Sequence, residues 1–464
     1  MIQSVTLSPN ASTWLNAATD FSQSRPAEAR NFRATLDLLT DGLVIMSGHQ
    51  AELWHSGILA KWIAMTAAAE SVRISGTASE SVWLVVDQDD NDPAPLRYPT
   101  HNGRVLGEAT WKLASPTLVA PGTPTADRPP LNPVDQPTWK SSRPPADGDT
   151  MSGLERIAQA LNAFKTTRNA AEQLGLCAAQ FCRWFELEGS QPTELLMASD
   201  LARTDAFKSI IEKMITDPAT CVTHYNQSIT VADQADLRPL QINTTRNRYE
   251  LPLWLLTPGE PRKRLFSDEL AALPKDQWER LAPRAILMTG IVRAFACDLF
   301  IHGAGGGKYD SAAEAWFKSW LGLSLCPKVI ASATVFLPLA DKPVPTEQDV
   351  NRAWAKAHKA RHNPSFLGDH AAAATLQNHL QALAAAKEAN QPRRGLYLKM
   401  QADLEIYRVQ NKAQIDRMFA EAKQTALHAT ESKIATDRTW PFPLHRRAVI
   451  SELRGRIWAQ FQNT

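Results

Sequence analysis

The sequence predicts an α/β protein built on a parallel sheet, and three observations carry that prediction. Two short apolar runs, in DGLVIMS (Asp41 to Ser47) and VWLVV (Val82 to Val86), flank a stretch whose apolar residues recur at helical spacing. A third run, VIASATVFL (Val329 to Leu337), follows a glycine-rich loop and a second amphipathic stretch. Runs apolar on both faces suit strands that helices cover from both sides, and such strand–helix–strand units cross over right-handed.

Each element follows in order. DGLVIMS enters Gly48, and Leu53, Trp54, Ile58, Leu59 and Ile63 then mark one helix. After a turn at Gly76 comes VWLVV, which ends in the acidic cluster Asp87, Asp89, Asp90 and Asp92. Residues 1–115 are therefore read as the first half of the core. Between Pro116 and Pro145 nine prolines limit regular structure, so 116–150 reads as an excursion or linker. Helical spacing returns from Leu154 to Ile215, and 151–250 reads as a mainly helical insertion. A strand is expected at LPLWLL, Leu251 to Leu256. From Pro283 a helix (RAILMTGIVRAFA), a short apolar run at Leu299 to Ile301, the loop HGAGGGKYD and a helix with Trp316, Phe317, Trp320 and Leu321 complete the second half, 251–345. Beyond Pro345 strong helix formers dominate, with glycine only at Gly368, Gly395 and Gly455. Two long helices are expected, one ending near Ala389 and one from about Leu396 to Thr436. The turn NQPRRG between them makes residues 346–440 an antiparallel helical arm, and homodimerisation through it is the expectation. The tail, 441–464, ends in a short basic amphipathic helix.

Composition bounds the function. The chain has 464 residues, 44% hydrophobic and 21% charged, enough for a large core and two or three domains. Lys plus Arg number 50 against 48 Asp plus Glu, and the net charge of +2 gives no global pull toward nucleic acid or membrane. Five cysteines without a C-x-x-C pair fit neither a disulfide framework nor a zinc ribbon. The amino terminus lacks the pattern of a secretory leader and no window is apolar enough to span a membrane, so a cytoplasmic location is expected. The expected partner is a small molecule.

Three constellations point to chemistry. In SGHQAELWHSGILAK, Ser47 to Lys61, a strand hands over to a helix, where free N–H groups and the helix dipole favour anions. Gly48, Gln50 and Lys61 are read as substrate-binding there, and His49 and His55 as candidate catalytic groups that stabilise developing charge. The alternative is a helix cap at His49 and a core histidine at His55. In VVDQDDNDP, Asp87 and Asp90 can supply a general base or a Mg²⁺ ligand, or serve only as turn formers. In FIHGAGGGKYD, Phe300 to Asp310, glycines let backbone N–H groups approach an anion and Lys308 adds a point charge. His302, Gly305, Gly306, Gly307, Lys308, Tyr309 and Asp310 are the candidates. Tyr309 follows the lysine where a Walker A motif requires Ser or Thr, so the loop is not a P-loop. Arg447, in a basic cluster with Arg446, Arg454 and Arg456, is a further candidate anion contact, although a basic helix end explains it too. His358 and His362, at i and i+4 with no glutamate between them, read as a solvated helical face. No metal site is read from the sequence; ATP or another nucleotide, and Mg²⁺, stay open as cofactors.

Taken in order, these constellations resemble those of the bacillithiol biosynthesis cysteine-adding enzyme family. The family's T-G-Q-Q-P-G-L-F-G-G-P-L run aligns on Ser47 to Ile58 and keeps Gly48, Gln50 and Leu53. Its F-W-x-x-x-E-D-H-D run falls on Val82 to Asp90, keeping Trp83 and Asp90, and its G-G-P-G-E segment lies over Gly303 to Gly307. The departures fall in the motifs themselves: His49 for Gln, His55 for Gly, Asp87 for Glu, Gln88 and Asp89 for Asp and His, and Gly307 for Glu. The resemblance implies a divergent member with a Rossmann-like core similar to that of class I aminoacyl-tRNA synthetases and a coiled-coil arm near its carboxyl end. It further implies a ligase-like or transferase reaction that condenses an amino acid, cysteine in the family, with a small amine or amino-sugar metabolite. Two other readings are a non-catalytic nucleotide or metabolite sensor that dimerises through its arm, and a scaffold whose arm is the functional part.

Overall fold

The computed structural model describes residues 1–102, 105–113, 119–132, 144–183, 191–231, 237–305, 309–339 and 345–462. Its central sheet has six strands: β1 (Ile2–Ser8), β2 (Leu43–Gln50), β3 (Ser79–Val86), β4 (Glu194–Met197), β5 (Leu299–His302) and β6 (Lys328–Val335), in the order β1-β6-β5-β2-β3-β4. The strands from β6 to β4 run parallel, and β1 closes the edge antiparallel to β6. After the edge strand β1 the chain enters the middle of the sheet at β2, winds outward through β3 and β4, and returns to the other side of β2 with β5 and β6. That is the order of a doubly wound sheet, whose crevice opens between the carboxyl ends of the two strands where winding reverses, here β2 and β5.

The predicted βαβ unit forms as β2, α1 (Ser56–Ile74) and β3, with Leu43 to Gln50 in unbroken register against Ser79 to Val86. Helix α1 buries residues on every side, 14 of its 19, which is why its apolar pattern is nearly continuous rather than a stripe. Trp54, Trp62 and Trp83 pack on one another with ring centroids 4.4–5.6 Å apart and fix α1 on β3. At the opposite end of the sheet the fully buried Asp298, just before β5, accepts hydrogen bonds from Arg25, Arg33 and the Val44 amide. A carboxylate this deep survives only when paired and saturated with donors.

Three expectations need correction. The LPLWLL run is a strand, Arg248–Leu255, but it belongs to a separate antiparallel sheet with Ile242–Asn243, Lys263–Phe266 and Leu281–Pro283. Its partners are close in sequence, and antiparallel pairing needs only short connections where a parallel one needs a crossover. The insertion at 151–250 is largely helical, yet it also supplies β4, the far edge of the main sheet. The two long helices of the arm are each broken, giving α2 (Glu347–His362), α3 (His370–Glu388), α4 (Arg394–Gln410) and α5 (Lys412–Ala435). The first break lies at Asn363-Pro364, where proline forbids helical backbone before it and Gly368 takes φ +77°. The second is at Asn411.

Two compact units result: residues 1–103, 108–337 and 438–464 in one, 104–107 and 338–437 in the other. In the helical unit α2 packs on α5 and α3 on α4. His358 lies against Trp354 and Phe419, and His362 beside Arg408, so the two are not paired as ligands. The tail helix, Arg447–Trp458, returns to the sheet unit and packs on α1. No helix among the described residues is long and apolar enough to cross a membrane.

Candidate active site

A cleft of about 410 Å³ opens at the carboxyl ends of β2 and β5, where the winding reverses. That is the scale of a small-molecule site. Of the predicted residues, Gly48, His49, Gln50, His55, Lys61, His302, Gly305 and Tyr309 line it. Gly48 has no room for a side chain, since a Cβ there would stand 2.6 Å from the Leu84 carbonyl oxygen. Gly306, Gly307 and Lys308 lie outside the described residues.

The histidines take different parts. His55, not His49, caps α1: its Nδ1 accepts a hydrogen bond from the Gly57 amide at 3.0 Å. This fixes the tautomer with the proton on Nε2. Burial, with Arg438 nearby, lowers its pKa to about 4, so the ring is neutral at physiological pH and serves as a donor rather than a base. His49 Nε2 lies 2.9 Å from Glu52 Oε1, and burial lowers its pKa as well.

Lys61, one turn into α1, is 4% exposed, and among the described residues its one hydrogen-bond partner is the Gly48 carbonyl oxygen at 2.5 Å. Among the described residues no carboxylate lies within ion-pair distance of it, and its amine stands 5.3 Å from the centre of the Trp83 ring. Burial lowers its pKa to about 7, against a smaller opposing pull from Glu52, because a desolvated ammonium is the costlier form in such surroundings.

The acidic cluster separates into three roles. Asp87 turns away from the cleft and accepts hydrogen bonds from the Ser199 amide at 2.9 Å and hydroxyl at 2.5 Å, joining β3 to the turn after β4. Burial raises its pKa to about 6. Its expected catalytic part is not supported by its position: Val86 and Gln88 on either side of it line the cleft, and alternation turns Asp87 to the other side. Asp89, which the sequence reading passed over, faces the cleft and joins Gln50 Nε2 to Arg262, each at 2.5 Å. Asp90 does not line the cleft, and Arg262 holds it also at 2.5 Å. Gln88 is buried and donates to the Pro283 carbonyl.

On the β5 side His302 faces the cleft, and its Nε2 lies 2.8 Å from Asp310 Oδ2, close but off the line of a good hydrogen bond. Asp310 is buried behind it, with Arg293 Nη1 at 3.5 Å. Burial would raise the Asp310 pKa, but His302 and Arg293 outweigh it and hold the carboxyl below its usual range. Burial in turn lowers the His302 pKa and raises that of Tyr309. Asp310 thus orients His302 rather than touching a ligand. Arg447 is exposed on the tail helix and does not line the cleft.

Three cleft residues come from distant segments that no local motif marked. Trp254, on the antiparallel sheet, offers a ring with Arg262 4.7 Å from its centre, while Arg262 itself clamps Asp89. Arg438, where the chain returns from the helical unit, lies over the start of α1, its Nη2 2.9 Å from where a Cβ on Gly57 would stand. Among the described residues it has no carboxylate within ion-pair distance. The cleft therefore gathers the positive end of α1, Lys61 and Arg438 on one side, and the compensated Asp89–Arg262 pair beside Trp254 on the other. Among the described residues no group of three or more His, Cys, Asp or Glu side chains is arranged to hold a metal ion.

In comparisons with known proteins, no family model and no curated protein matches the chain.

Proposed function

We propose that this chain is an enzyme of ligase or transferase type that joins a small amine or amino acid to a second, anionic metabolite in the switch-point cleft. Cysteine and an amino-sugar conjugate are the substrates the motif resemblance suggests. One observation carries the reading: the strand-to-helix turn bearing His49, Gln50 and His55, the buried Lys61 and the distant Arg438 all open on one cleft of about 410 Å³. Cations and a helix start converging on an enclosed space favour a carboxylate or phosphate there. A nucleotide's phosphates suit the same cationic side, so ATP is the energy source we propose. The likeness of the core to class I aminoacyl-tRNA synthetases, a coiled-coil character and homodimer contact for the helical arm, and a cytoplasmic location belong to the same proposal.

The test is to incubate the full chain with cysteine and an amino-sugar conjugate, with and without ATP and Mg²⁺, and seek by mass spectrometry a product equal to both substrates less one water. Product formation that Arg438→Leu reduces at least tenfold supports the reading. Saturable binding without any product favours the sensor, a reading that has its own support in the engagement of Asp87, Asp89 and Asp90 by Ser199 and Arg262. A monomer mass in light scattering refutes the dimer.

A further inference from the structure

The cleft contains one nucleophile that the condensation proposed above does not require. Lys61 Nζ has the Gly48 carbonyl oxygen as its hydrogen-bond acceptor, the Trp83 ring 5.3 Å away, and no carboxylate within ion-pair distance among the described residues. A neutral amine placed so donates one N–H to Gly48 and keeps its lone pair free. The Lys61 stem runs beside the end of β5, with Cδ 3.7 Å from where a Cβ on Gly303 would stand. His302, the next residue in toward the sheet, lines the same cleft; its Nε2 lies 2.8 Å from Asp310 Oδ2, and Nδ1 has no protein partner among the described residues. Arg438, whose Nη1 donates to Thr334 Oγ1 at 3.4 Å, brings a guanidinium over the start of α1 with no carboxylate within ion-pair distance among the described residues.

We propose that Lys61 is a covalent catalytic residue that forms an imine with a carbonyl compound bearing a carboxylate or phosphate, the anionic group held by Arg438 and the start of α1. Desolvated lysines with few counter-ions act in this way on carbonyl substrates. In the step, the amine lone pair adds to the carbonyl carbon and a proton moves from nitrogen to oxygen, giving a carbinolamine. His302, neutral with its Nε2 proton toward Asp310, takes the second amine proton at Nδ1 and passes it to the departing hydroxyl, so that water leaves as the C=N bond forms. An incoming amine then adds to that carbon and expels Lys61 as the free amine, carrying the imine away. Burial, which lowers the Lys61 pKa to about 7, leaves roughly half of it unprotonated at pH 7, against about one in 3,000 for a lysine at the ordinary 10.5.

This rests on the reading of the cleft as the place where an amine meets a second metabolite, and it names that metabolite's reactive group. The experiment uses the full chain with glyoxylate at pH 7, reduced by cyanoborohydride and mapped by peptide mass, with propanal as an uncharged control. At limiting reagent Lys61 should carry at least ten times more glyoxylate adduct than any other lysine. Arg438→Leu should reduce that adduct about tenfold while leaving propanal labelling of Lys61 within twofold. Glyoxylate spread over surface lysines with Lys61 unmodified overturns the proposal, and labelling indifferent to Arg438 overturns the anionic class. Should the condensation assay give product in Lys61→Met at the unaltered rate, the imine fails and the enzyme reading stands. Should Lys61 label as expected while no condensation is found, the reverse holds.

Discussion

Replacing Lys61 by Met makes the physics of the cleft measurable without any ligand. Lys61 is buried with a pKa lowered to about 7 from the ordinary 10.5, and at 1.36 kcal/mol per pH unit that fall is worth about 5 kcal/mol. Below about pH 7 the amine is charged in both the folded and unfolded chain, so the whole penalty weighs on the fold. Between pH 7 and 10.5 the unfolded chain holds the proton and the folded one does not, so wild-type stability rises with pH. Above 10.5 the penalty is gone. Methionine fills similar space and carries no charge, but it forfeits the bond to Gly48, worth about 1 kcal/mol. Lys61→Met should therefore be more stable than wild type by about 4 kcal/mol at pH 6, and less stable by about 1 kcal/mol near pH 10.5. Urea unfolding of both proteins at pH 6, 8 and 10 measures the gap, with matched denaturant slopes as the control. A gap independent of pH, or a variant less stable at pH 6, would refute the account of Lys61 as a buried amine of depressed pKa.

Three further outcomes follow from the same geometry. His55→Ala removes the cap on Gly57 and should lower stability by about 1 kcal/mol, whereas His55→Ser, which can still accept that bond, should restore most of it; equal unfolding midpoints for the two variants would count against the cap. Asp89→Asn weakens the charged contacts to Gln50 and Arg262 inside the cleft, so binding of the condensation substrates, measured by calorimetry, should weaken about tenfold. Asp90→Asn, outside it, should change binding less than about threefold; the opposite order would move the functional carboxylate to the rim. Gly48→Ala forces a methyl to within 2.6 Å of the Leu84 carbonyl oxygen and should cost about 1–3 kcal/mol of stability, read from the thermal midpoint.

How far the sequence reached depended on which physical signal each element leaves. Strands β2, β3, β5 and β6 are buried on the sheet's two faces, so their residues form apolar runs visible without any alignment. Strand β1 is an edge with a mostly exposed, alternating pattern, IQSVTLS, and β4 is four residues long inside a helical stretch; neither leaves such a run. The strand-to-helix turn at Gly48 to Lys61 was legible as a site because doubly wound sheets bind ligands at strand ends. Trp254, Arg262 and Arg438 were not, because they reach the cleft through tertiary folding and sit in no motif of their own. Asp89 lay within the cluster already singled out, and choosing among neighbouring aspartates required knowing which way each side chain turns.

The acidic cluster shows why that direction decides function. By composition alone, Asp87, Asp89 and Asp90 make the end of β3 the most negative point of the core, which suits a metal ion or a general base. In the folded chain Asp87 spends its acceptors on Ser199, and one guanidinium, Arg262, engages both Asp89 and Asp90. What is left facing the open space is the opposite charge: the start of α1, the Lys61 amine and the Arg438 guanidinium, with no carboxylate within ion-pair distance of either side chain among the described residues. Holding an uncompensated amine in the interior costs stability that a methionine would not, so the economical explanation is an anionic ligand that completes the charge when it binds. An acidic sequence motif thus leads to a cationic cleft, and the ligand to look for is an anion.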